Sequence, residues 1–212
     1  MKRAFLGSAL AGLVLMTIGV SAVSAANPVC SSTIGAVTIT GNLTAGPGCL
    51  LNGTTVTGNV TVTAGGELVT DGATIRGNVT STGAGSIVSI NGGLVGGSIQ
   101  VTGGSVGEVD GTTVDGYVVL TGITTDFTVG AYNSSIGGNL IVSNNDSSFD
   151  LVVFKDTVHG NVTVDGNTNT VGTLVAGNTV SGVLGCANNT PAPIDGVEPN
   201  SAASKTGQCA SL

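Results

Sequence analysis

Thr55-Val56-Thr57-Gly58-Asn59-Val60-Thr61-Val62 and Thr157-Val158-His159-Gly160-Asn161-Val162-Thr163-Val164 differ at a single place, the residue before the glycine. The same motif, Thr-Val-x-Gly-Asn-Val-Thr-Val in outline, recurs eight times. Its glycine falls at Gly41, Gly58, Gly77, Gly97, Gly116, Gly138, Gly160 and Gly182, in steps of 17, 19, 20, 19, 22, 22 and 22 residues. Two residues before the glycine stand Ile39, Val56, Ile75, Val95, Val114, Ile136, Val158 and Val180. Two residues after it stand Leu43, Val60, Val79, Ile99, Val118, Leu140, Val162 and Leu184, and neither column holds a polar residue. Four residues after it come Ala45, Val62, Ser81, Val101, Leu120, Val142, Val164 and Cys186. Alternation with a period of two predicts strands with these positions facing one side, and the β-branched residues suit a pleated surface. A step near twenty is too short for a strand–helix–strand unit, which takes about 30 residues. It fits one turn of a parallel β-solenoid, in which a coil buries its face only by stacking on its neighbours.

Between the motifs lie second apolar patches: Leu68-Val69, Ile87-Val88-Ile90, Val106-Val109, Phe127-Val129, Leu151-Val153 and Val171-Leu174. Clusters such as Gly65-Gly66, Gly92-Gly93, Asn144-Asn145-Asp146 and Asp165-Gly166-Asn167 separate them and provide corners. Each coil should therefore carry two or three short strands. Eight coils at about 4.8 Å each give a rod roughly 40 Å long. The expected fold is an all-β, single-domain parallel β-helix of about eight coils over residues 26–186, followed by a capping segment over 187–212.

An open solenoid exposes strand edges and its apolar interior at both ends, so it needs caps. The four cysteines sit where caps belong, and four cysteines allow three pairings. Cys30 and Cys49 are nineteen residues apart, about one coil. Cys186 falls on an inward column of the last motif, and Cys209 lies in the stretch that contains Pro191, Pro193 and Pro199 and loses the repeat. Cys30–Cys49 and Cys186–Cys209 are the preferred disulfides, each contributing roughly 3 kcal/mol in the chain-entropy treatment. No CxxC spacing supports zinc.

Met1-Lys2-Arg3, an apolar stretch from Ala4 to about Val20, and small residues with Val23 and Ala25 at the cleavage positions form the layout of a secretory signal peptide over 1–25. No later apolar run has spanning length, so no membrane span is expected after signal removal. In the remaining chain Arg76, Lys155 and Lys205 face twelve acids, a formal side-chain charge of −9. So few basic residues argue against nucleic-acid binding. Secretion makes the disulfides plausible.

The layout resembles the right-handed parallel β-helix proteins secreted by bacteria. Its ending, Asn178-Thr179-Val180-Ser181-Gly182-Val183-Leu184-Gly185-Cys186 through Gly207-Gln208-Cys209-Ala210, resembles that of uncharacterised exported actinobacterial proteins. The resemblance implies a right-handed coil. It implies no single activity, since proteins of this architecture include polysaccharide lyases, adhesins, ice binders and fibre-forming scaffolds.

Arg76, Asp115 and His159 share the column just before the motif glycine, two coils apart from one another. A lyase reading makes Arg76 or His159 the base, but about 9–10 Å between them leaves a base without helpers in hydrogen-bond range. Asp165-Gly166-Asn167-Thr168-Asn169-Thr170 hints at a calcium loop but lacks the required glycine and the bidentate Glu. No catalytic, cofactor-binding or metal site is expected. Threonines form the clearest surface pattern. Thr38, Thr55, Thr74, Thr113, Thr157 and Thr179 stand three residues before their glycines. Such a ladder resembles those of some ice-binding solenoids, and Thr is also a good self-pairing residue on exposed strands. Tyr117 and Tyr132 offer rings for a sugar. The motif asparagines Asn42, Asn59, Asn78, Asn139 and Asn161, all but Asn139 within Asn-x-Thr sequons, read more simply as turn and ladder residues. The expectation is a non-enzymatic, secreted structural or adhesive protein whose partner is a cell-wall or extracellular polysaccharide, or another copy of itself. Polysaccharide binding or cleavage is the first alternative and ice binding the second.

Overall fold

The computed structural model describes residues 27–196 and 198–212, so the signal peptide expected over 1–25 lies outside the described residues. Every strand pairing among the described residues is parallel, and no helix occurs among them. Three ladders run the length of the stack. Ladder A consists of the two-residue rungs Thr38–Ile39, Thr55–Val56, Thr74–Ile75, Leu94–Val95, Thr113–Val114, Ser135–Ile136 and Thr157–Val158, and it continues into Thr179–Ala187. Ladder B runs from Val29–Cys30 through Leu43–Ala45, Val60–Val62, Val79–Ser81, Ile99–Gly104, Val118–Thr125, Leu140–Ser143 and Val162–Asp165 to the same strand. Ladder C holds Thr33–Ile34, Cys49–Asn52, Glu67–Asp71, Ile87–Asn91, Val106–Asp110, Val129–Tyr132, Leu151–Phe154 and Thr173–Ala176.

The register places each motif column on itself: Val60 pairs with Val79, Val79 with Ile99, and Val118 with Leu140. The side chains two and four residues after each motif glycine are buried without exception, Ser81 included. Those two residues before it are buried in every coil except the first, where Ile39 packs part-exposed against the core. Burial is therefore set by stacking, and the terminal coil loses some of it. The motif glycine exists for close approach. A Cβ on Gly58 would lie 2.5 Å from Asn42 Oδ1 and 2.6 Å from the Gly41 carbonyl oxygen. The motif asparagine staples the same corner: the Asn59 N–H donates to Asn42 Oδ1 at 2.9 Å, and the Asn78 N–H to Asn59 Oδ1 at 2.8 Å.

A fourth ladder, D, appears where the step lengthens to 22 residues. It comprises the end of Val118–Thr125, then Asp146–Ser147 and Thr168–Asn169, with a bridge from Thr168 to Thr190. Both ends are tied by disulfides, Cys30–Cys49 with Cα atoms 5.2 Å apart and Cys186–Cys209 at 5.1 Å. Beyond Cys186 the repeat is lost in the sequence, yet the stacking continues. Ile194 bridges Leu174, and Ser201–Gly207 pairs in parallel with Thr179–Ala187. Leu212 is buried, and the Lys205 ammonium donates to its carbonyl. The last segment thus adds a rung of small and polar residues over the apolar interior.

Candidate functional site: a shelf where the coil widens

The change of step makes a discontinuity on an otherwise even surface. In the narrower coil, Gly104-Ser105 leads directly into ladder C at Val106–Asp110. One coil later Thr124-Thr125 forms the first rung of ladder D, and its parallel partner is Asp146–Ser147 on the following coil. With no such rung on the narrower coil, this corner overhangs it. A cleft of about 350 Å³ results, lined by Ser105, Thr124, Thr125, Asp126, Phe127, Asp146 and Ser148. On the other flank of Phe127 a second cleft of about 360 Å³ is lined by Ile87, Val106, Glu108 and Thr128.

Phe127 stands between the two clefts and is 63% exposed. Its backbone is held at both ends. The N–H donates to Thr125 Oγ1 at 2.9 Å, and the carbonyl accepts from Ser147 Oγ at 2.7 Å. Ser148 Oγ donates to Asp126 Oδ1 at 2.8 Å, so one wall of the first cleft is ordered by a carboxylate–hydroxyl pair. Phe149 and Val171, 53% and 63% exposed, continue the apolar stripe at one-coil intervals. In the second cleft, burial pushes the Glu108 carboxyl above its ordinary range; the hydrogen bond from Ser89 opposes the rise and nearby Asp110 adds to it. An exposed aromatic face flanked by carboxylates and hydroxyls suits a ring that is apolar on its face and hydroxylated at its rim.

The sequence-derived candidates are dispersed. Arg76, Asp115 and His159 are each exposed on the surface of ladder A, with Gly96 and Gly137 occupying the coils between. At about 4.8 Å per coil they remain too far apart to act together. Of the Asp165–Thr170 loop, Asn167 and Asn169 face the interior, and Asp165 accepts from Asn188 Nδ2 at 2.9 Å. Among the described residues no three His, Cys, Asp or Glu side chains are grouped to hold a metal ion. The threonines of ladder A stack in register, Thr38 on Thr55 on Thr74 and Thr157 on Thr179, with Leu94 and Ser135 interrupting the column. Ladder B carries a second patch, Thr61 and Thr63 beside Thr80 and Thr82, three of the four exposed. Two threonine hydroxyls serve the stack itself: Thr57 Oγ1 accepts from the Gly41 N–H at 2.8 Å, and Thr121 shares a hydrogen bond with Ser143 at 3.1 Å.

Tyr117 lies at the motif corner and Tyr132 at the end of a ladder C strand, so the two tyrosines do not share a groove. The aromatic residue that does form a cleft is Phe127. Of the apolar patches Phe127-Val129 and Val171-Leu174, the first member of each is exposed. The signal for the correct reading is the 22-residue register of Phe127, Phe149 and Val171, each preceded by a polar residue.

The ladders and their register define a parallel β-solenoid protein. No protein family, curated protein or solved structure matches the chain.

Proposed function

We propose that the protein is a secreted, non-enzymatic adhesive rod, and that the shelf around Phe127 holds uncharged polysaccharide of a cell wall or extracellular matrix. The carrying observation is the exposed Phe127 ring between two clefts, with Asp126, Asp146, Ser105 and Ser148 beside it. A pyranose can lay its C–H face on the ring while its hydroxyls donate to the carboxylates and accept from Ser and Thr. The mature chain's charge of −9 argues against an anionic glycan. Export is supported by the leader-like residues 1–25 and by two disulfides, which persist in oxidising compartments. Parallel stacking closed at both ends makes a stiff support, which suits a passive binding surface better than a moving one.

The test is co-sedimentation of the oxidised mature protein, alone and with washed actinobacterial cell walls, for wild type and Phe127→Ser. Wall-dependent pelleting of wild type, reduced at least tenfold in the variant, is the expected result. Equal pelleting of both proteins would remove the shelf from the account. Pelleting without walls would replace wall adhesion by self-assembly, and a fall in the viscosity of a soluble polysaccharide would overturn the non-enzymatic reading.

A further inference from the structure

A buried polar column runs along the corner between ladders C and A, one residue per coil: Thr112, Ser134, Asp156, Asn178 and Asn200. Each of the last four accepts from the backbone N–H of the column residue one coil earlier. The distances are 3.2 Å from Thr112 to Ser134, 2.9 Å from Ser134 to Asp156, 2.9 Å from Asp156 to Asn178 and 3.1 Å from Asn178 to Asn200. Column residues also donate to a carbonyl of ladder C. Asn178 reaches Val153 at 2.8 Å and Asn200 reaches Val175 at 2.7 Å; the hydroxyls of Thr112 and Ser134 sit nearest the carbonyls of Asp110 at 2.8 Å and Tyr132 at 3.0 Å, with Ile90 at 3.3 Å and Val109 at 3.4 Å also in reach. Ile90, Val109, Val153 and Val175 fall with Ala131 in one register column, Ile90–Val109–Ala131–Val153–Val175. The residue missing from the set of donors is Asp156, and the carbonyl missing from the set of acceptors is Ala131. Asp156 Oδ2 is buried without a hydrogen-bond partner.

We propose that Asp156 stands in this wall as the neutral carboxylic acid, its Oδ2–H donating to the carbonyl of Ala131, and that losing this proton loosens the C-terminal coils. A carboxylate can only accept, so the ionised form would set two acceptors against each other in a dry corner. Protonation gives Asp156 the same pair of hydrogen bonds that an asparagine makes at Asn178 and Asn200. The charged surroundings agree. Ser134 and Asn178, stacked on either side, are neutral, and Asp110 opposes a second negative charge. Lys155 points away, its ammonium 3.1 Å from Glu198 and over the Phe154 ring at 4.6 Å, while His159 lies exposed on the outer surface. Burial, as the leading cause, raises the Asp156 carboxyl from 3.8 to about 7, against the opposing backbone hydrogen bonds of Ser134 and Phe154.

The sign follows from that direction. A group that binds its proton more tightly in the folded chain stabilises fully below its unfolded value and loses that contribution as the pH rises through the folded value. The stitch is therefore complete near pH 4 and undone above about pH 7. The experiment is carboxyl ¹³C NMR of the oxidised chain across pH 3 to 9, with thermal melts of wild type and Asp156→Asn. One aspartate carboxyl should titrate near 7 and be missing from the variant's spectrum. The variant should melt above wild type at pH 8, with the two converging at pH 4. Titration of every carboxyl below pH 5, or a variant that melts lower than wild type at pH 8, would overturn the proposal. Should Asp156→Asn fail to fold, the wild-type titration alone decides.

Discussion

The molecule contains two kinds of coil. From Gly41 to Gly116 the motif returns after 17 to 20 residues, and from Gly116 to Gly182 after 22. The shorter coils have three ladders and turn from ladder B to ladder C through small residues, with left-handed glycines at Gly65, Gly85 and Gly103. The longer coils insert ladder D, and their inner corner is lined by Asn145, Asn167 and Asn189. Asn145 donates its N–H at 3.0 Å and its Nδ2 at 2.9 Å to Asn167 Oδ1, and Asn167 repeats this with Asn189 at 3.1 and 2.8 Å. Gln208 ends the column by accepting from the Asn189 N–H at 2.9 Å. Widening a coil turns more main chain inward, and buried N–H and C=O groups must find partners. Asparagine provides a donor and an acceptor together, so it can repeat indefinitely along a corner. At the junction, Ile123 takes the asparagine position and fills the hole left by Gly107 in ladder C; a Cβ on Gly107 would collide with Ile123 Cδ1.

The comparison can be broken most severely at Asn167. Asn167→Leu leaves the Asn145 donors and the Val142 carbonyl without partners in a dry corner. It should cost about 4 kcal/mol, taking 1–3 kcal/mol for each orphaned group. Ala84→Ser, likewise seven residues after its motif glycine but exposed on the turn of a short coil, should stay within about 0.5 kcal/mol. Urea unfolding of both variants checks the contrast, and similar losses would mean that the corners do not differ in kind. The two ends should differ less. Removing either disulfide by paired Cys→Ala substitution should cost roughly 3 kcal/mol, as their sequence separations of 19 and 23 residues are close. A much larger loss at one end, measured by thermal melting, would show that the two closures do not contribute equally to the stack. The smallest effect concerns the junction itself. Gly107→Val should destabilise by about 2 kcal/mol through overpacking, and a second change, Ile123→Ala, should recover part of that loss. Additive losses in the double-mutant cycle would refute the fit between the two residues.

The inward columns were legible because strand alternation is local. Val60, Val79, Ile99 and Val118 announce themselves by spacing from their glycines, and all are buried. The disulfide pairing was legible for a related reason: a separation of one coil is a contact in any solenoid. Corners were harder. Asn144-Asn145-Asp146 and Asp165-Gly166-Asn167 read as polar turns, yet Asn145 and Asn167 point inward while Asn144 and Asp146 point out. Phe127 shows the converse, an apolar residue expelled to the surface by the overhang of its own coil. In both cases the deciding quantity is the perimeter of the coil relative to its neighbour, which no short window of sequence contains.

By itself the sequence determined a parallel stack of about eight coils, its inward columns and its disulfide-tied ends. Each of these follows from a period of two within strands and a period near twenty between them. Only the tertiary structure decided which corner residues turn inward, where the fourth ladder begins, that Phe127 overhangs a cleft, and that the buried Asp156 Oδ2 stands in a column of donors without a hydrogen-bond partner. Those outcomes depend on how one coil sits on the next, because a hydrogen bond or a void between coils is a property of the pair.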